Sequence, residues 1–365
     1  MKDIRMVDLQ GQYLRIKSEV DAAMQSVVDS AAFIQGREVQ EFASALSTYL
    51  DGAHVITCGN GTDALQIAMM ALSLKPGDEV IVPVHTYVAT AEVIAVLGLT
   101  PVFVDVHADT FNIDVSQVEE TITAKTKAIV PVHLYGQCAD MDPLIEIASK
   151  HNLFVIEDAA QSIGATYKGV PSGTIGTIGT TSFFPSKNLG CFGDGGAIIT
   201  RSKELAEEIR MIANHGQRIK YHHERIGVNS RLDTLQAAIL NVKLKYLKEY
   251  ERKRNEVARY YDENLKDKGD FRLPVRFRHS THVFHQYTIR AKRRDDLKRF
   301  LQDKGIPSII YYPVPLHHQR AYKQDGSFPV TEQLATEVLS LPIHTEMTEQ
   351  QLDYICKTIA AFYNG

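Results

Sequence analysis

The chain has little of what several large protein classes need. Its four cysteines, Cys58, Cys138, Cys191 and Cys356, are scattered with no Cys-x-x-Cys spacing, so neither a disulfide framework nor a zinc site is indicated, and reduced, structural thiols are expected. The adjacent pairs His222-His223 and His317-His318 lack helix-face spacing, because neighbours on a helix or strand point apart, and no metal is expected. The most apolar region, from Val93 to Val104, is broken by Gly98 and Pro101 and bounded by Glu92 and Asp105. A bilayer needs about 20 apolar residues in succession, so no membrane segment is expected. A formal net charge of −4 is not the basic excess of a nucleic-acid-binding surface. Residues 1–8 carry no apolar signal-peptide core, and a cytoplasmic protein is expected. No internal repeat or low-complexity tract appears.

What is present is an ordinary globular composition, with 44% hydrophobic and 23% charged residues over 365 positions. That length exceeds one ordinary core and indicates two domains, taking about 150 residues per domain as a prior. Short apolar runs at 54–58, 79–84, 102–105, 128–132, 151–158 and 197–200 read as strands. Helical periodicity marks 16–32, 37–50, 63–72 and 91–97. The alternation predicts an α/β fold, a mostly parallel central sheet flanked by helices. A long helical pattern, begun by the capping-box-like Ser230-Arg231-Leu232-Asp233, runs to about Leu265, where Lys266-Asp267-Lys268-Gly269-Asp270 breaks it. The expected division is 1–265, an N-terminal arm with a large domain, and 266–365, a smaller C-terminal α/β domain. Within the latter, 286–290 and 308–312 read as strands, and 295–304 and 349–362 as helices.

One lysine draws the chemistry together. Lys187 stands among small residues, glycines and aromatics in a loop ahead of the strand at 197–200. Taken alone, such a lysine is more often a solvated loop residue. Shielded by Phe183, Phe184 and Phe192, it would lose its proton near neutral pH, since burial disfavours the ammonium, and become a nucleophile. Upstream, Asp158 ends a strand, and in open α/β sheets ligands bind beyond the strands' carboxyl ends. A buried carboxylate is costly without a cationic or donating partner, and a protonated pyridine nitrogen is one. Pyridoxal phosphate needs this pair, a lysine for the Schiff base and an acid on the ring nitrogen.

Val155-Ile156-Glu157-Asp158-Ala159-Ala160-Gln161-Ser162, Ser182-Phe183-Phe184-Pro185-Ser186-Lys187 and Gly227-Val228-Asn229-Ser230-Arg231-Leu232-Asp233 together resemble the DegT-type nucleotide-sugar aminotransferases of the aspartate aminotransferase superfamily (PLP fold type I). The resemblance spans nearly the whole chain, from Phe33-Ile34-Gln35-Gly36 to Tyr311-Tyr312-Pro313-Val314-Pro315-Leu316, with the motifs in one order. It implies a pyridoxal 5'-phosphate enzyme with Lys187 as the catalytic Schiff-base lysine and Asp158 and Gln161 beside the cofactor. It also implies a homodimer whose active site is shared, Asn229 reaching the cofactor phosphate of the neighbouring subunit.

Gly59-Asn60-Gly61-Thr62-Asp63-Ala64 matches the dinucleotide fingerprint G-x-G-x-x-A, which would indicate a dehydrogenase. A dinucleotide site wants an acid at the end of the next strand for the ribose, and here that strand ends in Pro83 and His85 without one. A glycine-rich turn entering a helix still binds phosphate through free N–H groups. The resemblance gives Gly61, Thr62 and Asp63 that task, with Ser182 helping, and lays Tyr87 over the pyridine ring. Ser230 reads as a helix cap, and Arg231 beside it suits a substrate carboxylate or phosphate. Tyr311 and Tyr312 are expected at the sugar.

The implied reaction is transamination of a nucleotide-linked keto-sugar, with L-glutamate as donor, ping-pong kinetics and bacterial surface polysaccharide, such as lipopolysaccharide O-antigen, as destination. Leu134 to Asp140 and His222 to Asn229 look closest to enzymes that aminate C3 of UDP-2-acetamido-2-deoxy-3-oxo-glucuronate, although some of those have His where this chain has Tyr311. A dTDP-3-keto-6-deoxyhexose is the alternative substrate. A sugar dehydratase of the same fold would carry His in place of Lys187, and a non-catalytic regulatory protein would not need the Lys–Asp pair.

Overall fold

The computed structural model describes residues 3–322 and 326–364. A seven-stranded sheet comprises β1 (His54–Cys58), β2 (Glu79–Pro83), β3 (Thr100–Val104), β4 (Thr126–Ile129), β5 (Phe154–Asp158), β6 (Ile178–Ser182) and β7 (Gly196–Thr200), in spatial order β1-β7-β6-β5-β4-β2-β3. Every neighbouring pair is parallel except the two made by β7, which is antiparallel to β1 and β6. Alternate residues of a strand face opposite sides. Val80 and Val82 accordingly pack with Leu65, Ala68 and Met69 on one face, while Ile81 packs with Met141 and Leu144 on the other. With both faces covered, the strands must be apolar throughout, which is why they read as unbroken runs in the sequence. Each such Ile, Val or Leu contributes about 1.5–3 kcal/mol by leaving water.

Several expected boundaries move. The strand expected from His151 begins at Phe154, because the helix Met141–His151 buries Met141, Leu144 and Ala148 and runs through His151 to a left-handed Asn152 at φ 53°. The pattern expected as one helix to Leu265 is two, Thr234–Leu244 and Leu247–Leu265, split at Lys245 and Tyr246. Residues 308–312 form no strand, only a single bridge from Ile309 to Ser340. Ser230 is not a cap. The helix starts at Thr234 behind Asp233, which makes no side-chain cap bond, and the Thr234 N–H is satisfied by the Phe33 carbonyl, a partner from far upstream.

A three-stranded antiparallel sheet, Phe271–Arg272, Tyr287–Ala291 and Val338–Leu341, organises the C-terminal part. Its core joins Tyr287 and Ile289 to Leu297, Leu301, Ile355 and Ile359, and draws Tyr261 and Leu265 from the preceding long helix. All four cysteines are free and buried. Among the described residues no helix is long and apolar enough to cross a membrane.

The sheet places the chemistry. Asp158 pairs with Thr180 across β5 and β6, and Gly196 stands opposite both Ser182 and Cys58. The carboxyl ends of β1, β5 and β6 therefore converge, as strand-end ligand sites require.

Candidate active site

Beyond these strand ends lies a cavity of about 700 Å³, lined by Gly61, Thr62, Asp63, Tyr87, Asp158, Gln161, Ser182, Lys187, Tyr311 and Tyr312. Segments far apart in sequence thus bring ten of the expected site residues together. Asn229 and Arg231 do not line it. Asn229 is exposed and bridges to Asn214, while Arg231 faces a second cavity of about 460 Å³ with Arg210 and Arg218.

Lys187 sits half-buried on the loop from β6 to β7. That loop is pinned by Lys187 N–H to Phe184 O (2.8 Å), Cys191 N–H to Phe183 O (2.8 Å) and Asn188 Nδ2 to Val283 O (3.0 Å), and Lys243 Nζ donates to Gly190 O. Gly190 is required for this tight path, since a Cβ there would lie 2.4 Å from Pro185 O. Burial lowers the Lys187 ammonium to about 8, against the opposing pull of Asp158. The expected aromatic shield is only partly there. Phe183 is fully buried, but Phe184 and Phe192 are 52% and 41% exposed, Phe192 turning to meet Tyr13 edge-on. The local sequence does not say which side of a loop faces the core.

Asp158 is 6% exposed, and each carboxylate oxygen has one donor, Thr90 Oγ1 to Oδ2 at 2.8 Å and Ala160 N–H to Oδ1 at 3.2 Å. Behind it, fully buried Glu157 accepts from Gly173, Ile175 and Gly176 N–H and from His133 Nε2 (2.8 Å). These bonds fasten β5 to the chain that leads into β6.

The helix Gly61–Ala71 points its start at the cavity. Asn60 caps it through the Asp63 N–H (2.8 Å), and among the described residues the N–H groups of Gly61 and Thr62 make no bond. Gly61 admits no side chain, because its Cβ would lie 2.7 Å from Ser182 Cβ. Asp63, grouped from the sequence with Gly61 and Thr62, is already engaged. Its carboxylate accepts from Ser230 Oγ (2.6 Å), which in turn accepts from Gly59 N–H (2.9 Å). Gln161 is likewise committed, to Tyr135 N–H (2.8 Å) and Tyr312 Oη (3.3 Å).

Three groups escaped the sequence reading. Thr86 Oγ1 and His285 Nδ1, both buried on residues of the cavity wall, have no partner among the described residues. Burial, with Lys187 and Arg254 nearby, drives the His285 imidazole well below its usual range, so it is neutral. Thr90 is the third. None stands in a motif, and only His285, just ahead of the strand Tyr287–Ala291, carried a positional hint.

The structure also corrects the argument about adjacent histidines. The His317 and His318 rings lie 3.9 Å apart in the 3₁₀ turn Leu316–His318, and with Glu332 their ligand atoms fall within 4.8 Å of one another. In so tight a turn neighbours do not point apart. Glu332 is occupied as a helix-start acceptor, taking the Phe328 N–H and His317 Nε2 at 3.2 Å each.

A sequence profile of the DegT/DnrJ/EryC1/StrS aminotransferase family matches residues 14–360. The chain is 48% identical over 357 residues, 98% of its length and 99% of the other's, to the UDP-2-acetamido-2-deoxy-3-oxo-D-glucuronate aminotransferase of Pseudomonas aeruginosa. It is 48% identical over 367 residues, 99% of each chain, to a pleiotropic regulatory protein of Geobacillus stearothermophilus. Against the dTDP-3-amino-3,4,6-trideoxy-alpha-D-glucose transaminase of Streptomyces venezuelae it is 43% identical over 95% of this chain and 93% of that one. A crystal structure of an aminotransferase of the same family from Brucella abortus superposes with a TM-score of 0.96 at 43% identity, over 99% of this chain and all of that one.

Proposed function

The chain belongs to the DegT/DnrJ/EryC1/StrS aminotransferase family, whose cofactor is pyridoxal phosphate, and from that membership we propose that it aminates C3 of UDP-2-acetamido-2-deoxy-3-oxo-glucuronate with L-glutamate as donor. The product would enter bacterial surface polysaccharide such as lipopolysaccharide O-antigen. The observation that carries the reading is the meeting of Lys187 and Asp158 in one cavity, at the strand ends, with a lysine whose proton is held at about 8.

The cavity fits the cofactor by its chemistry. Two N–H groups at a helix start, on Gly61 and Thr62, unbonded among the described residues, suit a phosphate, Ser182 lies against Gly61, and Thr86 Oγ1 and His285 Nδ1, without a partner among the described residues, call for a polar ligand. When bound, pyridoxal phosphate supplies an electron sink that stores the amino group between two half-reactions. Lys187 would hold the cofactor, and its Nζ would carry a proton as general acid and base. Asp158 would face the ring nitrogen and keep it protonated. Tyr87, 56% exposed and 6.1 Å from the Tyr312 ring, would cover the ring face, and Tyr311 and Tyr312 would meet the sugar. Asn229 and Arg231 lie outside the cavity of their own chain, and we assign them to the partner's site in a homodimer, Asn229 at the phosphate and Arg231 at the sugar carboxylate.

Borohydride reduction of the cofactor-loaded protein followed by peptide mapping labels Lys187, and Lys187→Ala purifies without covalent cofactor and does not turn over. Glutamate shifts the visible cofactor band, and the UDP-linked keto-sugar restores it. A label on another residue removes the assignment of Lys187. Recovery with a dTDP-3-keto-6-deoxyhexose alone moves the substrate to the class named for the Streptomyces relative. A band that ignores glutamate favours the second reading, a regulatory protein, for which the name of the Geobacillus relative speaks.

A further inference from the structure

Thr90 is fully buried in the first turn of the helix Ala89–Val96, whose other buried residues are Ala89, Ala91, Val93 and Ile94. A hydroxyl in such company costs free energy unless it is bonded. Its bond is to Asp158 Oδ2 at 2.8 Å. A hydroxyl has one proton to give and an ionised carboxylate has none, so Thr90 donates. The rest of Asp158 is already fixed, its N–H on Pro131 O (2.9 Å) and its C=O on His133 N–H (3.0 Å). What remains free is the turn of the carboxylate about its own bonds. The second donor, Ala160 N–H at 3.2 Å, is at the long end of hydrogen-bond distances. The segment that delivers Thr90 also delivers Tyr87 to the cavity, so one turn would set both the face and the nitrogen of a bound ring.

We propose that Thr90 is a positioning residue whose hydroxyl holds the Asp158 carboxylate in one orientation for the cofactor's ring nitrogen. The proposal rests on the role assigned to Asp158 above. Lys187 and Tyr312 are the other titratable groups that face Asp158. Burial holds the Tyr312 phenol far above neutrality and Lys187 at about 8, and His85, on the same turn as Tyr87, is pressed down to about 4.

The test is the affinity of full-length protein, stripped of cofactor, for pyridoxal phosphate, measured by titration at neutral pH and expressed as a ratio to the parent. Thr90→Val keeps the shape and removes the donor. It weakens binding about tenfold. Thr90→Ser restores the hydroxyl and binds as the parent does. Parental affinity in Thr90→Val, or an equal loss in Thr90→Ser, overturns the proposal. Turnover of Asp158→Asn separates the two ideas: a crippled Asp158→Asn beside a parental Thr90→Val removes the role of Thr90 alone, while parental turnover of Asp158→Asn removes the reading beneath it.

Discussion

Replacing Ser230 by alanine removes an oxygen that joins two distant segments. Ser230 is 2% exposed, and its Oγ donates to Asp63 Oδ2 at 2.6 Å while accepting the Gly59 N–H at 2.9 Å. A hydrogen bond to a charged group contributes about 1.5–3 kcal/mol and a neutral one about 1 kcal/mol. Removing both leaves an acid and an N–H underbonded in a part-buried turn, for a total of ~2–4 kcal/mol. For a chain of 365 residues that corresponds to a fall of about 3–5 °C in melting temperature. The assay is thermal unfolding of cofactor-free protein for Ser230→Ala, Asp63→Ala and the double variant. Because both single changes break the same bond, the double variant loses less than the sum by more than about 1 kcal/mol. A cap on the helix Thr234–Leu244 would instead leave Ser230 and Asp63 energetically independent. A fall below about 1 °C, or strict additivity of the two changes, refutes the tie.

Two further outcomes follow from the site. Lys187 captures pyridoxal phosphate in its neutral form, and with its proton held at about 8 the capture rate rises with pH from about 6 and levels off above 8. At pH 7 about one molecule in eleven is then neutral, roughly 300 times the fraction of an ordinary lysine. A stopped-flow series that keeps climbing toward the usual lysine range contradicts the burial effect. For the proposed shared site, Lys187→Ala and Asn229→Asp are each inactive, the second because a carboxylate repels the phosphate. Unfolding them together and refolding returns roughly a quarter of parental activity, since about half the dimers are mixed and each has one intact site. A mixture as inactive as its components, with parental protein refolding normally, rules out sharing.

The sheet and the central pair of residues were legible because their signals are local. Strands buried on both faces must be apolar throughout, and an acid at a strand end or a lysine in a glycine-rich loop stands out within a few residues. The helix Gly61–Ala71 announced itself by its glycine turn in the same way. What sequence alone left undetermined depends on partners far along the chain. Thr90 meets an acid 68 positions away, Ser230 one 167 positions away, and Lys243 a carbonyl 53 positions away. Ser230 looked like a cap because a capping box is itself a local pattern, and a long-range bond from Gly59 and Asp63 took its hydroxyl instead. His317 and His318 looked separate because strand and helix spacing was assumed where a 3₁₀ turn forms. Local chemistry determined which residues could act, and only the convergence of strand ends decided which of them face one another, because hydrogen bonds and burial are set by distance in space.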